Sequence, residues 1–208
     1  MEVLVLDYGA GNLTSVMKAL RAVGASPVTG AGADAVTRAS AIVIPGVGHF
    51  AQTASIDDRA RDAIGTAIAC GVPLLGICLG LQWLFDGSDE AADVAGLGVF
   101  PGRCFSLPRR SNDGSTPLKV PHVGWNTLDA LRPSQLVNGI PPASFAYFTH
   151  TYAAPVVDDT VAVTTHGATF TAVVERGTVF GAQFHPEKSG DAGLRLLANF
   201  VRIAGGAC

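Results

Sequence analysis

Apolar residues come in short continuous runs set between longer stretches of helical spacing. Val3-Leu4-Val5-Leu6, Ala41-Ile42-Val43-Ile44 and Pro73-Leu74-Leu75-Gly76-Ile77 do not alternate with polar residues. That marks strands buried on both faces, as in a parallel sheet. Leu13 to Val23 and Ile56 to Cys70 repeat apolar positions as helices do, and Gly24 and Gly71 follow as stops. Strand–helix alternation of this kind predicts an open α/β sheet with ligands beyond the carboxyl ends of its strands. Gly9 to Asn12, Pro45 to Gly48 and Cys78 all fall at that edge.

The second half reads differently. Between about Gly98 and His185 the strand signals at Phe145 to Thr149, Val161 to Thr164, Thr169 to Val174 and Val179 to Phe184 come with turn residues and little helix, as in hairpins. Arg109 to Pro117 reads as a polar, mobile loop, and Asp191 to Ile203 as a closing helix. With no repeat and no linker, one domain over residues 1–208 is expected. Its fold class is α/β: a mostly parallel sheet flanked by helices, with antiparallel hairpins in the second half.

Composition narrows the function. A net charge of −3 gives no electrostatic case for nucleic acid. Residues 63 to 85 carry no charge, but Gly71-Val72-Pro73 splits them into a helical and a strand-like part, so a buried passage fits better than a membrane span. The start, with Glu2 and no basic leader, reads as a strand and not a signal peptide. Cys70, Cys78, Cys104 and Cys208 form no C-x-x-C pair and no metal spacing with the histidines. Reduced thiols in a cytoplasm fit this pattern.

Gly76-Ile77-Cys78-Leu79-Gly80 places a cysteine where a strand turns sharply into a helix, the arrangement of a nucleophile elbow. A helix over Leu79 to Phe85 would point its N-terminus at the sulfur and favour the thiolate. Cys70, Cys104 and Cys208 are expected to be buried small hydrophobes. A thiolate needs a base and a group to orient it. His185-Pro186-Glu187, after a strand, supplies both if the segment stays extended, because residues two apart then share a side. Backbone N–H groups from Pro45-Gly46-Val47-Gly48 and from Leu79 can form an oxyanion hole. Gly9-Ala10-Gly11-Asn12-Leu13-Thr14 is not a dinucleotide loop: it lacks the third glycine and the acidic residue expected about 20 positions later.

In the order PGVG, GICLG and HPE these motifs resemble the class I (triad) glutamine amidotransferases, whose fold is flavodoxin-like, over essentially the whole chain. The segments DYGAGN (7–12), PGVGHF (45–50), KVPHVGWN (119–126), YFTHTY (147–152) and FHPEKS (184–189) narrow the resemblance. They are similar to the glutaminase subunits that serve imidazole glycerol phosphate synthases in histidine biosynthesis. The resemblance implies a Cys78, His185 and Glu187 triad, and a glutamine site including Gly48, Gln82, Glu90, Thr151 and Tyr152. It implies no cofactor and no metal. It also implies a heterodimer in which ammonia passes to a (β/α)8 cyclase subunit, with Asn12, Lys119, His122, Trp125 and Lys188 at or near the docking face. The low resting activity of such glutaminases would follow if the Gly46–Val47 peptide turned its carbonyl toward the site. Three rivals are another cysteine hydrolase on this fold, such as a γ-glutamyl hydrolase or the glutaminase of a different pathway, a catalytically silent docking or regulatory module, and a flavin or nucleotide-binding electron carrier of similar topology. The PHVGWN and YFTHTY segments oppose the first, the intact triad opposes the second, and the third lacks a phosphate-binding loop beyond the Gly9 turn.

Overall fold

A computed structural model of the chain describes residues 1–111, 113–130 and 132–206. Four parallel strands come first: β1 (Glu2–Leu6), β2 (Ser26–Gly30), β3 (Ile42–Ile44) and β4 (Leu74–Ile77). Short strands follow, β5 (Gly87–Ser88), β6 (Ala91–Ala95) and β7 (Arg103–Ser106), then β8 (His122–Thr127), β9 (Asp129–Ala130), β10 (Phe145–His150) and β11 (Tyr152–Ala153). The last are β12 (Thr160–Thr165), β13 (Thr169–Arg176) and β14 (Val179–Ala182). Among the described residues the main sheet runs β2-β1-β3-β4-β14-β13-β12-β9. It is parallel from β2 through β14 and antiparallel beyond. Strands β8 and β10 pair antiparallel by themselves, and β5, β6, β7 and β11 form a small sheet.

The parity of β1 shows how the core divides. Val3 and Val5 face α1 (Leu13–Ala22) and α5 (Gly190–Gly205) in one apolar cluster. Leu4 and Leu6 join the other, with α2 (Gly32–Thr37), α3 (Asp58–Ala69) and α4 (Leu79–Trp83). Both faces are covered, which is why the strands read as unbroken apolar runs.

Several boundaries differ from the sequence reading. The strand β2 and helix α2 escaped it because β2 is a half-exposed edge carrying Pro27 and α2 spans six residues. Helix α3 starts at Asp58, since Asp57 caps it by accepting from Ala60 N at 2.8 Å. Helix α4 ends at Trp83 and not Phe85. The loop expected to be mobile is tied by a bridge between Arg110 and Pro117 and by Asp113, which accepts from Ser115 N at 3.0 Å. Cys70 is exposed, contrary to expectation, because it caps the end of α3; Cys104 is buried as expected. Cys208 lies outside the described residues. No helix among the described residues is long and apolar enough to cross a membrane.

Candidate active site

The turn from β4 into α4 puts Cys78 at φ +53°, ψ −104°, a conformation a side chain adopts only when its surroundings force it. The force comes from close packing at the flanking glycines. A Cβ at Gly76 would lie 2.7 Å from the Gly80 carbonyl, and one at Gly80 would run into the Ile44 carbonyl. The two glycines thus serve close approach, since neither has a positive φ. Cys78 is also pinned by its N–H, which donates to the Ala182 carbonyl at 2.7 Å across the β4–β14 pair.

His185 and Glu187 meet as the sequence predicts, but by another geometry. Strand β14 stops at Ala182, and Pro186–Lys188 form a single 3-10 turn in place of an extended segment. That turn folds Glu187 back, so that the His185 Nδ1–H donates to Oε1 at 2.8 Å, with both side chains 1% exposed. The His185 N–H donates to the Tyr147 carbonyl at 2.9 Å, and Ser189 Oγ donates to the His185 carbonyl at 2.7 Å. Burial opposes charge on this imidazole, yet Cys78 and Glu187 outweigh it and raise its pKa above the ordinary value. His185 Nε2 has no ordinary hydrogen-bond partner among the described residues.

A cavity of about 200 Å³ opens over the sulfur. Its wall brings together Cys78, Val47, Gly48, Leu79, Gln82, Glu90, Thr151 and Tyr152, all singled out from sequence. Glu90 Oε2 accepts from Phe50 N at 2.7 Å. Gln82 Nε2 donates to the Tyr152 carbonyl at 2.6 Å and to Gln183 Oε1 at 3.2 Å. With both amide hydrogens so placed, its Oε1 is left for a ligand's ammonium. The oxyanion hole expected from Gly46, Val47 and Leu79 is closed: Leu79 N donates to the Gly46 carbonyl at 3.4 Å. The Gly46–Val47 peptide thus presents an acceptor where an oxyanion needs a donor.

The expected docking residues divide. Asn12, Lys119, Trp125 and Lys188 are exposed, with Asn12 also capping α1 by accepting from Ser15 N at 3.2 Å. His122 is not: it is 5% exposed and stacks on His166, ring centroids 4.2 Å apart. Strand parity explains the burial, since His122 and Trp125 lie three apart on β8 and therefore on opposite faces. The outer face of β8 and β10 carries Val123, Trp125 and Phe145, each more than half exposed, and Lys188 Nζ sits 5.8 Å from the Tyr147 ring centre.

Sequence reasoning missed Gln183, Thr149 and His150 at this site. Gln183 is fully buried and donates from Nε2 to Cys78 Sγ at 3.7 Å. A polar residue inside the apolar run Val179 to Phe184 was its signal. His150 had one too, for it alternates in phase with the buried Ala146 and Phe148.

The chain is similar to known proteins over nearly its whole length. Residues 4–204 match the family described as glutamine amidotransferase class-I. The imidazole glycerol phosphate synthase subunit HisH of Deinococcus radiodurans is 47% identical over 207 residues, covering 97% of this chain and 93% of that one. The subunit of the same name from Natronomonas pharaonis is 45% identical, covering 96% and 94%. Among solved structures, PurLQS from Thermotoga maritima superposes with a TM-score of 0.75 at 18% identity, covering 97% of this chain and 98% of that one, and so shows the fold alone. A cysteine on a strained strand–helix turn, a buried His–Glu pair beside it and a family match running nearly end to end lead to one statement: the chain belongs to the class-I glutamine amidotransferase family.

Proposed function

We propose that the chain hydrolyses glutamine to glutamate and hands the ammonia to the cyclase subunit of an imidazole glycerol phosphate synthase in histidine biosynthesis. The observation that carries the chemistry is the buried His185–Glu187 hydrogen bond of 2.8 Å beside Cys78. The relatives' printed name supports the pathway. The Cys78 thiolate attacks the carboxamide carbon, and the oxyanion is held by backbone N–H groups at Val47 and Leu79. As the C–N bond breaks, His185 gives its proton to the leaving nitrogen, which departs as ammonia. Water then attacks the thioester with His185 as base, the C–S bond breaks and glutamate leaves. Glu187 keeps the imidazole charged and oriented. Gln82 and Glu90 hold the amino-acid end of glutamine, with Gly48 and the backbone of Thr151 and Tyr152.

The docking face is the outer side of β8 and β10, with the exposed Trp125, Val123 and Phe145 as apolar anchors and the exposed Lys119, Lys188 and Asn12 as polar contacts to the partner. Docking turns the Gly46–Val47 peptide so that an N–H replaces the carbonyl near Leu79. An alanine at Gly46 is a poor probe of that turn, because its Cβ would sit 2.7 Å from the Leu79 Cβ. One amidotransferase domain spans residues 1–208, supported by the family match over 4–204, and it works in the cytoplasm.

The test is glutamate release by the purified chain with and without the cyclase carrying its nucleotide, with Cys78→Ala as blank. A large partner-dependent rise, absent in the blank, is expected. Strong activity indifferent to the cyclase would leave the triad and overturn the pathway.

A further inference from the structure

Two buried histidines outside the triad lie between the docking strand and the pocket wall, and their hydrogen bonds run in a single direction. The Tyr152 carbonyl can only accept, so His150 Nδ1, 2.9 Å away, carries a hydrogen. Burial, first, and then His122 lower the His150 pKa to about 3, so its Nε2 is bare at neutral pH. His122 Nδ1, 3.3 Å from that Nε2, must therefore donate. Burial and then His166 lower the His122 pKa to about 4, which leaves its own Nε2 as an acceptor. Asn126 Nδ2 lies 3.3 Å from it and donates. The second hydrogen of that amide goes to the Thr165 carbonyl at 3.1 Å, while Oδ1 accepts from Thr127 N at 2.9 Å. Beyond Tyr152 the chain continues, for Gln82 Nε2 donates to the same carbonyl and to Gln183 Oε1, and Gln183 Nε2 donates to the sulfur. At each link a donor meets an acceptor without conflict, which is how a buried network specifies one arrangement.

We infer that this chain, Asn126 to His122 to His150 to the Tyr152 carbonyl, then Gln82 and Gln183 to Cys78, lets the docking strand β8 set the glutamine pocket. His122, His150 and Gln183 are positioning residues for the reaction. The inference rests on the proposed function for the meaning of the pocket, but the chain itself is a property of the fold. It gives β8 two opposed faces with one purpose: Trp125 meets the partner, and His122 and Asn126, inward or at the edge, carry strand position to the wall that holds the substrate. Strand β10 contributes His150 directly opposite His122 in register, so the pair moves as a unit.

The first test needs no catalysis. Nitrogen-15 NMR of the full chain at pH 7 is expected to show His122 and His150 neutral with the hydrogen on Nδ1 in both. An Nε2–H form in either would overturn the chain. The second reads function in the complex with the cyclase and its nucleotide. His122→Phe keeps the stacking but removes both polar atoms, while His122→Asn returns a donor near the place of Nδ1. Phe is expected to raise the KM for glutamine about five- to tenfold, the worth of one hydrogen bond, with kcat changing less. Asn should recover it to within about twofold. Equal KM values for Phe and Asn would reduce His122 to packing. Should His122→Phe not fold, His150→Gln, without a donor toward Tyr152, is compared with His150→Asn, which keeps one; Gln alone is expected to raise KM. Failure of the glutaminase reading would appear as indifference to Cys78→Ala, a different result from either.

Discussion

His185 and His150 are both buried, yet one is held charged and the other neutral. His150 shows what burial does unopposed: with His122 and a carbonyl as neighbours, its pKa falls to about 3. At His185 burial pushes the same way, but the Glu187 carboxylate and the Cys78 sulfur reverse the outcome. The contrast teaches that counter-charge, not burial, separates the two roles. A charged imidazole beside a sulfur can supply a proton to a leaving group. A neutral one with a fixed tautomer can only orient its neighbours. The two are also linked, because the charge on His185 is among the causes that keep His150 neutral.

Glu187→Gln breaks the contrast most severely. The His185 Nδ1 hydrogen bond remains possible but its counter-charge is gone, and by analogy with triads in which the acid is amidated, partner-stimulated glutamate release should fall about a thousandfold or more. Less than a tenfold loss would remove Glu187 from the mechanism. On a Cys78→Ala background the same change should let burial win, so that His185 titrates below the ordinary imidazole range by NMR. If it stayed above that range, counter-charge would not be the cause of the difference.

The two groups were unequally legible in the sequence. The proposed triad could be read because each member sits in a local pattern: Cys78 between two glycines at a strand end, and Glu187 two residues from His185. Even there the reason was partly wrong, since a 3-10 turn and not an extended strand joins the pair. The neutral histidines have no local pattern. His122 and His150 lie 28 positions apart and meet only through the antiparallel register of β8 and β10, which no single segment announces. The alternation within KVPHVGWN did separate His122 from Trp125, but similarity in sequence grouped them together. In the fold, unbroken apolar runs gave away β1, β3 and β4, whereas β2 and α2, at the sheet edge, had too little buried surface to leave a pattern.

Acid should sharpen the comparison through stability. The unfolded chain binds protons at these histidines near the ordinary imidazole pKa of about 6.5. The folded chain does not until about pH 4 at His122 and about pH 3 at His150. Between those values the unfolded state holds more protons, so stability falls as pH drops below about 6.5. His185 has the opposite sign, since its raised pKa stabilises below its unfolded value and the contribution is lost only as pH rises. Urea midpoints at pH 7 and pH 5 should therefore drop in the parent and drop less in His150→Asn. An equal drop in both would mean that His150 is not held neutral.

The smallest expected effect separates the two causes at His122. His166 stacks on that ring with planes 17° apart, and its Nε2 lies 2.8 Å from the Lys119 carbonyl, to which it donates. His166→Leu keeps an apolar cover over His122 but removes a like charge. Burial is the larger cause of the lowered pKa at His122 and His166 the smaller, so the substitution should raise the His122 pKa while leaving it below the ordinary range. NMR titration of His122 reads this directly. A return to the ordinary value would make repulsion from His166 the ruling term, and His122 would then gain a proton in mildly acidic solution. A doubly protonated His122 has no acceptor left for Asn126, so the chain toward Tyr152 would lose its first link there. If burial rules, the link survives through the working pH range, and the docking strand keeps its hold on the pocket.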